Sequence, residues 1–415
     1  MSGRKTPKTT RRERVDERNV TQGMKYLRQF FHILEPLRHI PVHGNREFFF
    51  DQYVALLLMH FYNPVLKSLR TLQEATGLEN VQSLVGVRRM SLAAMSEAAA
   101  TVFRPEDLLP ILEQVSGQVM QLALPPERMK NLPGMPVAVD GTFLRCLPKM
   151  VWACFRKKKG KRGVQLQLHY DITRGIPRAF EVLSDRGSES ASLKKLLEPG
   201  MLYITDRGYI NYTLYQAIHD GGSFFVARLK DNSSHQVLID RPLTDADRAA
   251  GVLCDQNVRM GSAYTDGDLT APVRRVVIRP KDRQGRDCVV LTNTDLPADM
   301  VGLLYRYRWQ VELFFKWFKC ILEQRRHWFS QSQSGLTVQV YVALLASMLL
   351  TLWTGCKPNA SLFRMFQLHL QGWAKEHEVT NAIRRHQAAQ AANAEKAAAK
   401  KAARTAAQAA EKITT

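Results

Sequence analysis

The segment that most constrains the fold is residues 303–322, LLYRYRWQVELFFKWFKCIL, whose pattern of polar residues predicts an α-helix. Tyr305, Arg308, Glu312 and Lys319 follow one another at steps of three, four and seven residues. At about 100° per residue, they lie within roughly 60° of one another. Charged side chains are rarely buried unless they are paired or bind something. The stripe is therefore either part of a functional site or an Arg308–Glu312 salt bridge on a solvent-exposed edge.

The rest of that helix is mostly apolar, so we predict that most of its surface is buried. The residues expected in the core include Leu313, Phe314, Trp317 and Phe318.

The net charge of the chain indicates a polyanionic partner. The 415 residues carry a formal charge of +21, which is far from neutral. A hydrophobic content of 45% is typical of a folded protein with two or three domains. Nucleic acid is the first candidate partner. An anionic membrane surface is the weaker one, because no basic amphipathic anchor stands out.

Cysteine usage and hydropathy favour a cytoplasmic protein. The six cysteines form no CxxC pair and no zinc-binding spacing, so we expect reduced structural thiols. The first 18 residues lack the apolar core of a signal peptide. The apolar stretch Val338–Trp353 is shorter than the roughly 20 residues that a membrane span needs. It is predicted to be a core helix, with no membrane as partner.

Residues 24–124 show helical periodicity and predict an all-helical N-terminal domain. Within it, Leu69–Ala98 is compatible with a helix-turn-helix. The turn would lie near Gly77–Asn80, and the second helix would carry Arg88 and Arg89. The edge of an ordinary helical bundle explains the same pattern equally well.

From residue 135 onward the chain consists of short β-rich runs separated by turns. A helix-like piece lies between the third and fourth runs, so we predict a mixed sheet with helices packed on it. The first two runs are joined by FRKKKGKRG, which predicts a cationic hairpin tip. Six cations without an acid favour contact with DNA phosphates over a solvated turn. These residues are Arg156, Lys157, Lys158, Lys159, Lys161 and Arg162.

Two of the predicted strands end in an aspartate close to glycine, Asp140 in VAVDGT and Asp206 in ITDRGY. A single aspartate of this kind is usually a turn former. Two on one sheet, with Glu312 facing inward from the helix, would repel one another unless cations lay between them. Hard carboxylate oxygens suit Mg²⁺, for which Mn²⁺ can substitute. Two such ions about 4 Å apart can activate a water or a sugar hydroxyl against a phosphodiester.

Together these residues carry a family resemblance. The chain resembles the DDE transposases, and among them the insertion sequence four family, whose signature is Tyr-x2-Arg-x3-Glu-x6-Lys. Residues 305–319 match that signature in full. Asp140–Thr142 matches the strand–Asp–Gly–Thr block of the family, and Asp206–Tyr209 matches its Asp–Arg–Gly–Tyr block. The resemblance covers roughly Pro136–Trp353.

The resemblance implies a ribonuclease-H-like fold in which three catalytic carboxylates hold Mg²⁺, namely Asp140, Asp206 and Glu312. It also implies that three further residues grip phosphates and end nucleotides at the cleavage site, namely Tyr305, Arg308 and Lys319.

Some family members stack a flipped base on a tryptophan of a β-rich insertion, but none of the six tryptophans here lies in the predicted insertion. Three explanations stay open: Tyr264 or Met260 serves instead, the insertion sits differently, or no hairpin step is used.

The predicted fold class is α/β. A ribonuclease-H-like mixed sheet with flanking helices is interrupted by a β-rich insertion, preceded by an all-helical domain and followed by C-terminal helices. The predicted segments are a flexible basic arm (1–20), a helical DNA-binding domain (21–130), the first part of the core (131–230), the insertion (231–298), the second part of the core (299–355), a helical region (356–388) and an Ala/Lys-rich tail (389–415).

The function that the resemblance implies is that of a cut-and-paste DNA transposase, a nucleoid-associated bacterial-type enzyme. It would act as a homodimer on the terminal inverted repeats of its element and on double-stranded target DNA. Two rivals stay open. One is a non-catalytic DNA-end-binding regulator of transposition, and the other is a structure-selective, metal-dependent nuclease without strand transfer.

Overall fold

In a computed structural model the chain divides into two compact units, Met1–Met90 with Leu349–Thr415, and Ser91–Met348. The structure describes residues 31–40, 44–63, 65–122, 129–154, 162–184, 188–230, 233–261, 269–279, 287–323, 328–357 and 359–392. The segment boundaries expected from the sequence remain predictions.

The helices are α1 (Glu35–Arg38), α2 (Phe50–Tyr62), α3 (Leu69–Ala75), α4 (Glu79–Val85), α5 (Leu92–Glu97), α6 (Leu109–Leu122), α7 (Glu189–Lys195), α8 (Tyr212–Asp220), α9 (Asp245–Ala250), α10 (Ala298–Tyr307), α11 (Trp309–Glu323), α12 (Gln333–Thr354) and α13 (Ala360–Leu370). Residues 376–392 are also helical. The strands are β1 (Met135–Arg145), β2 (Gly163–Asp171), β3 (Ile176–Leu183), β4 (Met201–Thr205), β5 (Phe224–Arg228), β6 (His235–Asp240), β7 (Val252–Met260), β8 (Val273–Ile278) and β9 (Cys288–Thr292).

The helical unit is built around α2, all 13 residues of which are buried. Three of those residues are polar, and each has a partner. The His60 ring forms a hydrogen bond with the Leu66 carbonyl. Asp51 pairs with Arg38 at 3.0 Å, and the Gln52 amide donates to the Gly86 carbonyl at 2.6 Å. These bonds offset the cost of removing polar groups from water. Aromatic residues of α13 pack against Tyr62 at the other end of α2.

α3 and α4 form a helix–turn–helix pair of two seven-residue helices. The Ser68 hydroxyl caps α3 by accepting from the Thr71 N–H at 3.2 Å. Gly86, with φ of 71°, ends α4 in the left-handed conformation that favours glycine. Arg88 and Arg89 therefore lie beyond the second helix, outside any helix. The expectation that α4 carries them is wrong.

The second unit contains a nine-stranded sheet in the order β3-β2-β1-β4-β5-β9-β8-β7-β6. β1, β4 and β5 are parallel to one another, and the remaining pairings are antiparallel. The prediction of a mixed α/β unit with a mixed sheet is confirmed. The β-rich stretch predicted as an insertion supplies β6 to β9, and it extends the same sheet because β9 pairs with β5.

The helix predicted over residues 303–322 is divided into α10 and α11 at Arg308. The N–H groups of Arg308 and Val311 each donate to the carbonyl three residues earlier, so the backbone tightens there while Arg308 keeps helical dihedral angles. Leu313 is 49% exposed, and its predicted burial is wrong. The residues of α11 that are buried as predicted include Phe314, Trp317 and Phe318.

Two features bear on the predicted compartment. α12 has 22 residues, so it is longer than predicted and is long and apolar enough to cross a membrane. However, 94% of its most apolar window is buried inside the protein, which agrees with a core helix. All six cysteines are free thiols, as expected from their spacing.

Candidate active site

The two aspartates of the sequence blocks lie on neighbouring parallel strands. β4 ends at Thr205, so Asp206 directly follows a buried strand as predicted. β1 continues to Arg145, and the expectation that it ends at Asp140 is wrong. The physical reason is β2, which pairs with β1 along the whole stretch beyond Asp140.

Each aspartate is oriented by a backbone amide that follows it. Asp140 Oδ1 accepts from the Gly141 N–H at 2.8 Å. Asp206 Oδ1 accepts from the Gly208 N–H at 2.7 Å. One oxygen of each carboxylate is thereby held in place, which leaves Oδ2 of each for other partners.

The register of β1, β4 and β5, continued by one or two residues, places Asp140, Asp206 and Arg228 in one row. Residues in register on parallel strands point to the same face, and adjacent strands are about 4.8 Å apart. Arg228, the last residue of β5, was missed by the sequence reasoning. The signal was available: SFFVARLK is an apolar run that ends in a cation, as the two other runs end in an acid.

Arg308 connects this row with α11. Its Nη1 lies 3.3 Å from Asp140 Oδ2, and its Nη2 lies 2.5 Å from Glu312 Oε1. The Arg308 side chain is only 13% exposed, so solvent screens these ion pairs weakly. The Arg308–Glu312 salt bridge considered from the sequence therefore exists. The same guanidinium also reaches the acid on the sheet, so it does more than brace its own helix.

Asp140 is partly buried, which disfavours the charged form of its carboxyl group. Burial raises the pKa of its carboxyl to about 6, and Arg308 only partly opposes that shift. Asp206 and Glu312 raise the pKa further by like-charge repulsion. The influence of both carboxylates on Asp140 shows that the three acids interact electrostatically.

Tyr305 lies between two guanidinium groups. Arg228 is near enough to lower the pKa of the Tyr305 hydroxyl against the larger effect of burial, and the Arg308 guanidinium carbon lies 6.0 Å from the ring centre of Tyr305. Burial raises the pKa of the Tyr305 hydroxyl above its ordinary value. Burial alone would lower the pKa of Arg308, but Tyr305 and the acids outweigh it and raise that pKa. Within the described ranges, half-buried Lys319 makes no hydrogen bond or ion pair.

Most of the predicted cationic tip lies outside the described residues, namely Arg156, Lys157, Lys158, Lys159 and Lys161. Arg162 is described, and its guanidinium donates to the Val151 carbonyl at 2.8 Å. Contact of the tip with DNA stays a prediction.

The sequence suggested Met260 and Tyr264 as residues of the insertion that could stack on a base. Met260 is buried, with 8% of its surface exposed, and Tyr264 lies outside the described residues. Trp309, by contrast, is 49% exposed and carries Lys316 Nζ 5.1 Å from its ring centre. It directly follows Arg308, which contacts both Asp140 and Glu312.

The donor set at this site fits a hard divalent cation. Asp140, Asp206 and Glu312 offer carboxylate oxygens, and a divalent cation would offset the burial and the like-charge repulsion that raise the pKa of Asp140. In the part of the chain that the structure describes, no group of three or more His, Cys, Asp or Glu residues is arranged to hold a metal ion. Arg308 instead bonds to both Asp140 and Glu312.

Comparison with protein families places this site in a known domain. A family model described as "Transposase DDE domain" matches residues 133–349, which is more than half of the chain and contains every acid of the site.

Several curated proteins are similar to parts of the chain. The protein y4zB of Sinorhizobium fredii, named as a transposase, is 32% identical over 204 residues, which is 48% of this chain and 55% of that protein. The transposase named for insertion sequence element IS5377 of Geobacillus stearothermophilus is 22% identical over 71% of this chain and 74% of its own length. The transposase for insertion sequence element IS231B of Bacillus thuringiensis is 23% identical over 53% of this chain and 54% of its own length. The chain thus spans about half the length of two of these three relatives.

Among solved structures, the chain is similar to the piggyBac transposase in its synaptic complex with hairpin DNA. That likeness covers 88% of this chain and 85% of the other, with 10% identity and a TM-score of 0.39. It is too weak to bear on the fold.

Proposed function

We propose that this chain, which belongs to the Transposase DDE domain family, is a cut-and-paste DNA transposase. It binds the inverted-repeat ends of its element, cleaves phosphodiester bonds with a divalent metal and joins the 3′ ends to target DNA. The complete Tyr-x2-Arg-x3-Glu-x6-Lys spacing at residues 305–319 supports its place in the insertion sequence four branch. Acids on adjacent strands of a mixed sheet support a ribonuclease-H-like core.

The observation that carries the proposal is the Arg308 bridge between Asp140 and Glu312, with Asp206 beside Asp140 on the next strand. Three acids from two strands and a helix thus share one small, half-buried site. These three residues would hold Mg²⁺ or Mn²⁺. When bound, the ions would supply a polarised water or 3′-hydroxyl nucleophile and would stabilise the leaving oxygen.

The chain's own part in the reaction is to bind and orient the DNA end. Arg228 and Arg308 flank Tyr305, and their planar forks can each hold a phosphate by two bonds. Lys319 is about 10 Å along the helix from Glu312, which suits a neighbouring phosphate. The exposed ring of Trp309 is a stacking surface for a terminal base.

The partners follow from the charge and from the reaction. A formal charge of +21 matches double-stranded DNA, both the terminal repeats and the target. Synapsis of two ends requires two active sites, which a homodimer supplies. A cytoplasmic, nucleoid-associated enzyme meets these substrates.

The test is cleavage of a duplex that carries one element end together with its flanking DNA, in the presence and absence of Mg²⁺. We expect Asp140→Asn, Asp206→Asn and Glu312→Gln each to lower cleavage at least a thousandfold while end binding stays within a few-fold. Glu113→Gln, which changes an exposed acid of the same unit, is the matched control and should cleave normally.

The same assay separates the rival functions. Binding of the ends by the wild-type protein without any metal-dependent nick would indicate a DNA-end-binding regulator. Cleavage without joining of pre-cleaved ends to a plasmid would indicate a structure-selective nuclease. Only cleavage followed by joining supports the transposase.

A further inference from the structure

A second polar cluster lies beneath the acids, on the opposite face of β1 and β2. Gln165 and Gln167 are 2% and 0% exposed, and in the strand register they lie across from Phe143 and Gly141. Successive residues of a strand point to opposite faces. These glutamines therefore face away from Asp140, which precedes Gly141.

Both glutamine side chains bind residues that surround Asp206. The Gln167 amide donates to the hydroxyl of Tyr209, three residues after Asp206. The Gln165 amide donates to the carboxylate of Glu189, which also lies next to Gly208. The turn from Asp206 to Tyr209 is thus held at one end by the Asp206 carboxylate, which accepts from Gly208, and at the other by a bond to β2.

Gly141 is what allows this arrangement. A methyl group at that position would lie 2.9 Å from Gln167 Oε1 and against the amide nitrogen of Gln165. Gly141 is not among the glycines with positive φ, so backbone strain is not the reason for it. The glycine of the Asp–Gly–Thr block leaves room for two side chains from the neighbouring strand.

Packing of the core alone does not explain why these two buried positions are glutamines. Within the residues that the structure describes, Gln165 Oε1 and Gln167 Oε1 are buried without a hydrogen-bond partner. An unpartnered buried acceptor is costly, and two apolar side chains of similar volume would avoid that cost. Two glutamines at these positions therefore point to a requirement for the bonds that their amide nitrogens make.

We propose that Gln167 and Tyr209 are positioning residues that set the distance of Asp206 from Asp140, and thereby the affinity of the site for a divalent cation. The inference rests on the proposed function, since that function assigns the metal to these acids. Gln167 lies on the strand paired with β1, which carries Asp140. Tyr209 lies on the turn that Asp206 begins. Their hydrogen bond directly joins the strand next to Asp140 to the turn that carries Asp206, on the buried face of the sheet.

The test measures Mn²⁺ binding to the full-length, DNA-free protein from the loss of the paramagnetic resonance signal of free Mn²⁺. We expect Gln167→Met and Tyr209→Phe each to raise the Mn²⁺ dissociation constant about tenfold. The double variant should be no worse than either single one, because both remove the same bond. In cleavage assays, the Mn²⁺ concentration for half-maximal rate should rise by the same factor, while the rate at saturating Mn²⁺ recovers.

Tyr203→Phe is the matched control. Tyr203 is fully buried in the same core cluster, and its hydroxyl accepts from the Glu198 N–H at 2.7 Å, away from the acids. Its loss should lower the melting temperature without changing the Mn²⁺ dissociation constant. Should Gln167→Met fail to fold, Tyr209→Phe, which removes a single oxygen, decides the question.

The outcomes separate this inference from the proposed function. A wild-type protein that binds Mn²⁺, with Tyr209→Phe binding it equally well, overturns the positioning role and leaves the metal site intact. Equal effects of Tyr209→Phe and Tyr203→Phe on Mn²⁺ binding also overturn it, since both changes would then act through stability alone. A wild-type protein that binds no Mn²⁺ overturns the metal site itself and the inference with it.

Discussion

Replacing Arg308 by glutamine is expected to tighten Mn²⁺ binding to the DNA-free protein while slowing DNA cleavage. In the structure the Arg308 guanidinium bonds to Asp140 at 3.3 Å and to Glu312 at 2.5 Å, so it serves as the counter-ion of both acids. A divalent cation that enters has to displace those two bonds. Glutamine has a similar length but no charge, so nothing of comparable strength has to be displaced.

The size of the effect follows from the two bonds. A hydrogen bond to a charged group contributes about 1.5–3 kcal/mol. The Asp140 and Glu312 side chains are 21% and 28% exposed, so screening reduces both contributions. We take about 2 kcal/mol for the release of Arg308, which corresponds to about 30-fold in the Mn²⁺ dissociation constant. The metal-free variant should also lose about 2 kcal/mol of unfolding free energy, because its acids are left unpaired.

The assay compares Mn²⁺ dissociation constants and cleavage rates of the wild type, Arg308→Gln and Arg306→Gln. Arg306 is exposed in the last turn of α10, two residues before Arg308, so its replacement removes a charge without touching the acids. Mn²⁺ binding by Arg308→Gln that equals or falls below that of the wild type would refute the counter-ion role. Cleavage by that variant at the wild-type rate would return Arg308 to a purely structural role.

Four further predictions concern other parts of the chain. Replacing the lysines of the 156–162 tip by glutamine should weaken binding of all DNA sequences alike and reduce the salt slope by about one unit per lost phosphate contact; changed sequence preference at constant slope would contradict this. The Lys319→Arg variant should cleave DNA within a few-fold of the wild-type rate, whereas Lys319→Ala should lose most strand transfer. The reason is that this position needs a positive charge on a long side chain more than it needs the planar geometry of a guanidinium group. Burial lowers the pKa of His169 to about 3 from 6.5, so the unfolded chain binds a proton between these values that the folded chain does not. Stability is therefore lost as the pH falls through that window, by about 2 kcal/mol between pH 7 and pH 5, and a His169→Gln variant should lack this component in urea titrations at the two pH values. Asp255→Asn should cost about 3–5 kcal/mol of unfolding free energy, because it leaves the buried Arg274, now bonded at 2.5 Å, without its charge partner; a calorimetric melting temperature within a degree of the wild type would contradict this.

Local patterns in the sequence predicted those features that depend on neighbouring residues. The apolar run before Asp206 and the glycine after it predicted a strand that ends at the acid, and β4 does so. The spacing from Tyr305 to Glu312 predicted one helical face, and Arg308 does reach Glu312 along it.

Features that depend on strand pairing were not predictable in this way. The aspartate and glycine at positions 140 and 141 predict the end of a strand, but β2 supplies pairing partners for β1 beyond Asp140. The run SFFVARLK marks Arg228 as a cation at the end of an apolar strand, but its place beside the acids depends on the register of β5 against β4. The exposure of Leu313 likewise depends on which side of α11 faces the sheet, and an apolar residue alone does not specify that side.

The pairing of β5 with β9 affects the local unfolding of this part of the sheet. Strands that share a hydrogen-bond ladder exchange their amide protons as one cooperative unit, so β9 and its neighbours should be protected from deuterium as long as β5 is. A segment so attached cannot swing as an independent arm. Deleting residues 231–298 would not leave a smaller stable protein, because the edge of β5, which pairs at Arg228 with Val290, would become an open template for aggregation.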